Sequence, residues 1–182
     1  MTKALFKFFY IICFVVIAVF VSKNVLLPFV YKLKEPFFIM PIETKNEIPI
    51  RNDDYGDGYF GAKRRGGRIH KGLDLAAKLK SPVYASKSGW AKTYTIPAGY
   101  GKLVIINHPG GWQTRYGHLD SFSIKKSQWV SQGSIIGFVG KSGNANTKGL
   151  IPHVHFEIRQ NDEPQDPAVA LSRISSSSGG GK

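Results

Sequence analysis

The chain has 182 residues, 42% of them hydrophobic, and a formal charge of +13. That length accommodates one ordinary domain with a proper core and little else. The single cysteine, Cys13, excludes an intramolecular disulfide and any cysteine-rich zinc knuckle, so a metal here would have to be held by histidine and carboxylate.

At the amino end, Phe8 to Val21 ("FFYIICFVVIAVFV") is apolar without interruption and follows Lys3 and Lys7. It reads as an export signal or an anchor. Ala4 to Val21 approaches the length of about 20 residues that a span requires, provided Lys7 snorkels toward the headgroups. The bulky residues of "IAVFVSKN" argue against signal cleavage, so residues 1–21 are expected to be an uncleaved membrane helix. Lys3 and Lys7 keep the amino end in the cytoplasm. The expected location is therefore a single-pass inner-membrane protein with its domain in the periplasm or cell exterior. Ile11 and Ile12, which precede Cys13, are unlike a lipoprotein attachment site.

Residues 22–50 carry Pro28, Pro36, Pro41 and Pro49 with little periodicity, which suits a stalk or a segment laid along the domain. The domain itself is expected over residues 51–174. Residues 175–182, "SSSSGGGK", have no means of forming a core and are expected to be a flexible tail. From Arg51 to Ile174, eighteen Lys and Arg face nine Asp and Glu. Acidic partners are favoured. An exported domain does not meet nucleic acid, and a polyanionic envelope suits the charge better. The cluster "AKRRGGRIHK" (Ala62 to Lys71) either steers an anionic substrate or is a solvated basic face.

From Pro82 onward, short segments rich in β-branched and aromatic residues alternate with glycine-bearing turns: "PVYAS", "GWAKTYT", "KLVIIN", "WQTRYGHL", "GSIIGFVG" and "HVHFEIR". "KLVIIN" and "WQTRYGHL" flank "HPGG" and should be antiparallel neighbours. Helical periodicity is absent beyond the anchor, so the expectation is a mostly antiparallel β domain. Two of the five histidines, His153 and His155, lie two apart in a strand-like run and should share a face. "RIHKGLDLA" sets His70 and Asp74 four apart around Gly72, and both helix and strand geometry let that pair converge. His70, Asp74 and one of His153 and His155 would form an N/N/O site with an open fourth position, the pattern of a catalytic zinc. His108, at a strand end beside a turn, is expected to cap a backbone carbonyl.

Taken together, "GYFGAKRRGGRIHKGLDLAA", "SPVYASKSGWA", "GYGKLVIINHPGGWQTRYGHLD", "WVSQGSIIGFVGKSG" and "PHVHFEIR" resemble, in order, the LytM/lysostaphin family of zinc metallopeptidases, which cleave peptide bonds in bacterial peptidoglycan. The resemblance runs from about Arg51 to Leu171. It implies a mainly β fold, a twisted antiparallel sheet with an open metal-bearing groove, here preceded by the amino-terminal membrane helix. It also implies one Zn2+ ion held by His70, Asp74 and His155, with His118 and His153 as catalytic histidines that do not bind the metal. The implied function is a membrane-tethered endopeptidase acting on peptidoglycan stem peptides. The alternative is a non-enzymatic regulator of another cell-wall hydrolase, a group in which part of the His/Asp set is usually missing. Glu157, on the same strand face as His153 and His155, is a possible partner for a ligand imidazole. "NANTKGLIPH" is longer than the family's usual loop before the final histidine pair and should shape the substrate groove.

Overall fold

The computed structural model describes residues 2–45 and 47–172; the expected tail at 175–182 lies outside the described residues. The chain divides into two units, one ending at Pro36 and one beginning at Phe37.

In the first unit, α1 (Thr2–Val21) is followed by a π-helical turn over Ser22–Leu26 and by α2 (Leu27–Lys34). The large apolar side chains of α1, among them Phe8, Ile11, Phe14, Val16 and Phe20, are exposed. Among the described residues no helix is long and apolar enough to cross a membrane. That corrects the expected spanning helix, whose apolar run is interrupted by Lys7. Within residues 22–50, helix continues to Lys34. Pro28 is compatible with this, since it occupies the first turn of α2, where its missing N–H is an orphan in any case.

The second unit takes in residues 37–50, so the domain begins well before Arg51. Phe38 and Ile42 are buried in its core. The backbone there is tied down by Ile39 N to Ser86 O (3.0 Å), Tyr84 N to Pro41 O (2.8 Å) and Ala76 N to Pro49 O (2.7 Å).

In chain order the strands are β1 (Asn52–Asp53), β2 (Gly56–Asp57), β3 (Leu73–Ala76), β4 (Pro82–Tyr84), β5 (Gly89–Ile96) and β6 (Gly101–Asn107). They continue with β7 (Trp112–Leu119), β8 (Ser121–Phe122), β9 (Ser127–Val130), β10 (Ile135–Phe138), β11 (His153–Gln160) and β12 (Glu163–Gln165), and α3 (Pro167–Ser172) follows. The main sheet runs β12-β11-β7-β6-β5-β9, with β3 also paired to β11, and a smaller sheet runs β4-β10-β8. Every pairing is antiparallel. The fold class is thus mainly β, as the sequence indicates, and β6 and β7 are antiparallel neighbours. Their turn uses Gly110 and Gly111 at φ 80° and 76°, a region in which other residues are disfavoured. One inner face of the main sheet, with Val154, Phe156, Ile158, Tyr116, Val104, Ile106 and Ala91, packs into the core with Leu73, Leu75 and Ile136. The short α3 escapes periodicity analysis; it is started by Asp166, whose Oδ1 accepts from Ala168 N at 2.9 Å.

His108 is buried and structural. Its Nδ1 donates to Ser88 O at 2.9 Å, and its Nε2 meets Thr114 Oγ1 at 2.9 Å. Burial, aided by the Lys87 charge, pushes its pKa down to about 4.

Candidate metal centre

Strand β11 alternates between core and site. Val154, Phe156 and Ile158 face inward, so His153, His155 and Glu157 share the opposite face. Asp74 of β3 pairs directly with His155, which brings its carboxylate beside that imidazole. Gly72 permits this close approach, because a Cβ there would lie 2.3 Å from Phe156 O. His70 enters from the extended segment before β3, anchored by its N–H to Ala62 O at 2.9 Å.

Three side-chain atoms meet on this face. His70 Nε2 is 3.0 Å from His155 Nδ1. Asp74 Oδ1 is 2.9 Å from His155 Nδ1 and 3.0 Å from His70 Nε2. All three residues are buried. Their outer partners determine where the ring protons sit. His70 Nδ1 faces Tyr59 O at 2.7 Å, and a carbonyl only accepts, so Nδ1 carries the hydrogen and Nε2 a lone pair. His155 Nε2 donates to Glu157 Oε1 at 3.0 Å, which leaves the lone pair on Nδ1. With both rings neutral, two imidazole lone pairs and a carboxylate oxygen converge with no hydrogen between them. That arrangement is repulsive until a cation occupies its centre, and an N/N/O donor set with an open side suits zinc.

The charges agree. Burial opposes ionisation of Asp74, yet the adjoining His155 and His70 imidazoles, where the site takes up a proton, hold its carboxyl well below the usual carboxylate range. Burial likewise disfavours a charged His155, but its bonds to Asp74 and Glu157 lift its pKa to about 9. The carboxylates thus favour positive charge at this point, supplied by a proton or displaced in favour of a metal.

Each donor is held from behind. Asp74 Oδ2 accepts from Arg51 Nη2 at 3.0 Å and from Arg64 Nη2 at 2.8 Å, which leaves Oδ1 for the centre. Glu157 is fully buried and accepts from Tyr100 Oη and, at 2.7 Å, from Arg159 Nη1. Burial would raise the Glu157 pKa, but the His155, Tyr100 and Arg159 bonds bring it to about 2. Sequence inspection missed Arg51 and Tyr100, which carry no motif. Arg64 lay in the basic cluster, where only its charge was legible and its inward turn toward Asp74 was not.

His118 and His153 stand beside the centre, with ring centroids 5.0 Å apart; His118 is 5.9 Å from the His155 ring. His153 Nε2 is 3.9 Å from Asp74 Oδ1, outside the tight triangle. His118 Nδ1 donates to Ser142 O at 2.9 Å and His153 Nδ1 to Ile151 O at 2.7 Å, so Nε2 is the basic atom of both rings. Burial first, then the neighbouring imidazoles, pushes the His118 pKa down to about 3; burial also lowers that of His153. Both are neutral near pH 7. His118 adopts φ 60°, uncommon for a residue with a side chain. Gly140 packs against this segment so closely that a Cβ there would lie 2.6 Å from His118 O.

The site opens into a groove of about 770 Å³. Lys63, Arg64, Arg68 and Lys71 line one part of it, and Asn144, Thr147 and Leu150 of the long loop line another. That loop is held by Tyr55 Oη to Lys148 O at 2.8 Å and by Ile151 N to Asp53 Oδ2 at 3.0 Å.

A family model, peptidase family M23, matches residues 68–167. The chain belongs to that family. It is 41% identical over 105 residues to the DD-carboxypeptidase/endopeptidase Mpg of Neisseria meningitidis, covering 57% of this chain and 23% of that protein. It is 33% identical over 106 residues to the peptidoglycan DD-endopeptidase ShyB of Vibrio cholerae, covering 57% of this chain and 24% of that one. The chain thus spans about a quarter of the length of these relatives. Among solved structures, a zinc-containing peptidase from Vibrio cholerae superposes with a TM-score of 0.58 at 30% identity, over 71% of this chain and 39% of the other.

Proposed function

We propose that the chain is a zinc-dependent endopeptidase that hydrolyses peptide bonds in the cross-links of peptidoglycan. The observation that carries this is the convergence of lone pairs from His70, Asp74 and His155 on the floor of an open groove, beside two neutral imidazoles. Membership of peptidase family M23 and the peptidoglycan endopeptidase among its relatives support the substrate class.

In this reading His70 Nε2, Asp74 Oδ1 and His155 Nδ1 hold one zinc ion. When bound, zinc lowers the pKa of water from 15.7 to about 7 and polarises a carbonyl. His153 and His118 divide the remaining work. With Nδ1–H committed to a backbone carbonyl, each ring accepts a proton only at Nε2, and a ring that has taken one can return it to the leaving amine. The second ring, across 5.0 Å, stabilises charge developing on the carbonyl oxygen. Arg51 and Arg64 keep Asp74 in register, and Glu157 fixes the His155 tautomer. The groove's basic wall favours a peptide that carries free carboxylates.

The exposed apolar side chains of α1 suit attachment of the chain to a lipid surface of the envelope, with the catalytic domain outside the cytoplasm. Cell fractionation with protease accessibility tests this; a protein found wholly in the cytosol would refute it.

The deciding experiment is mass analysis of fragments released from purified peptidoglycan by the full chain, with zinc and after chelation. Zinc-dependent release of fragments cut within the peptides is expected, and identifies the bond. If folded, zinc-loaded protein releases nothing, the enzyme reading fails and the regulator of another hydrolase takes its place.

A further inference from the structure

The face that bears the metal-site side chains continues across the main sheet. Residues two apart on a strand share a face, as do residues directly paired between strands. From Glu157 the pairing leads to Arg115 on β7, Ile105 on β6, Lys92 on β5 and Ser127 on β9. Two residues from Lys92, on either side, lie Trp90 and Tyr94, and Trp90 pairs with Trp129 of β9. The three rings therefore belong to the same sheet face as Glu157 and His155. Trp90 is 48% exposed, Tyr94 42% and Trp129 40%. Trp90 is held across the strands, its Nε1 donating to Ser127 Oγ at 2.8 Å.

Apart from Ile96 at the strand end and Ile105 on β6, the surroundings of these rings are polar. Lys92, Tyr94, Lys125, Lys126 and Ser127 frame a depression at this end of the sheet. The strip between it and the metal centre is polar too: Arg115 Nε donates to Gln113 Oε1 at 2.7 Å, and Gln113 Nε2 to Asn107 Oδ1 at 2.9 Å. Exposed aromatic faces framed by hydroxyl, amide and ammonium groups match a sugar ring. The C–H face of a pyranose meets the negative ring face, and its hydroxyls find partners at the rim. A lipid surface would have to cover the polar strip at a desolvation cost.

Spacing favours the same occupant. Neighbouring strands lie about 4.8 Å apart, so β5 is about 14 Å and β9 about 19 Å from β11 along the sheet, on a face that turns by about 20–25° per strand. An extended peptide covers at most about 3.3–3.6 Å per residue, so about four to six residues bridge that interval. A stem peptide of that length would let the sugar chain lie on the rings while the peptide reaches the metal centre.

We propose that Trp90, Tyr94 and Trp129 form a glycan-binding platform on which the sugar strand lies while its attached peptide reaches the metal centre. This rests on the reading of that centre as a peptidoglycan peptidase.

The test uses the full chain in detergent and chitohexaose, a β-1,4 oligomer of N-acetylglucosamine without peptide, with binding measured by calorimetry. Wild type is expected to bind. Trp90→Ala and Trp129→Ala should each weaken binding about tenfold, the scale of one lost aromatic contact with its buried area. Trp129→Tyr should retain most of it. Unaltered zinc binding and melting temperature establish that the variants are folded; should either alanine variant unfold, the Tyr94→Ala variant carries the test. No binding by wild type, or equal binding by the folded variants, overturns the platform. So does loss of partition onto anionic vesicles with no oligosaccharide binding, which would assign the face to a membrane. Peptide release is followed in parallel. A protein that cuts peptidoglycan but ignores chitohexaose loses the platform alone, and one that binds chitohexaose in a tryptophan-dependent way but never cuts loses the peptidase reading alone.

Discussion

Glu157 offers the sharpest test of how the metal centre is held. It is fully buried, and its carboxylate accepts from His155 Nε2 at 3.0 Å, from Tyr100 Oη and from Arg159 Nη1 at 2.7 Å. Truncation to alanine would take from the part-buried Arg159 its carboxylate partner and from Tyr100 its acceptor, and would confuse folding with metal binding. Glu157→Gln keeps the shape and one acceptor oxygen but removes the charge that makes His155 Nδ1 a better donor to a metal. Outer partners of ligating histidines are typically worth about 10–100-fold in metal affinity, which is about 1.4–2.7 kcal/mol. Zinc affinity of Glu157→Gln, measured by competition with a chromophoric chelator, is therefore expected to fall by that factor, with secondary structure intact. An affinity equal to wild type would refute the claim that the Glu157 charge strengthens His155 as a donor to the metal.

The two histidine sets should separate in one experiment. His155→Ala is expected to lose bound zinc and activity together, whereas His118→Ala should keep its zinc and lose about 10²–10⁴ in rate, the usual worth of a positioned acid or base; equal zinc content and equal turnover in both would refute the division. Gly72→Ala would push a Cβ to 2.3 Å from Phe156 O, so β3 must shift from β11. A loss of about 1–3 kcal/mol is expected in denaturant unfolding, with weaker zinc binding because Asp74 is displaced; unchanged stability would show that the strands give way freely. His108 is neutral in the fold, with its pKa lowered from 6.5 to about 4. The unfolded chain therefore takes up a proton first as pH falls. Stability is full above about pH 6.5 and declines toward pH 4 by an amount on the order of 3 kcal/mol from this residue. His108→Gln should flatten that part of the pH–stability curve, and an unaltered slope would show that other groups carry the acid sensitivity.

Much of this molecule was legible without coordinates. The β-rich segments "GWAKTYT", "KLVIIN", "WQTRYGHL" and "HVHFEIR" became β5, β6, β7 and β11, because alternating apolar residues determine which face of a strand is buried. The same alternation placed His153, His155 and Glu157 together, and the spacing of His70 and Asp74 allowed them to converge in either regular geometry. Other elements were not legible. β9 is four residues long and α3 six, too short for periodicity to register. Helix through Pro28 was obscured by a residue that usually ends helices, although at the first turn it does not.

What the tertiary structure alone decided concerns partners far apart in the chain. Spacing left His153 and His155 equivalent and the family resemblance alone chose between them; the pairing of β3 with β11 supplies the physical reason, since it sets Asp74 beside His155. The inward turn of Arg51 and Arg64 onto Asp74, and the approach of Tyr100 to Glu157, depend on loops folding back over the sheet. A sequence pattern reports which side chains share a local face. Which of them exchange protons, and which lone pairs are left pointing at one another, is set by contacts between segments that no local period encodes.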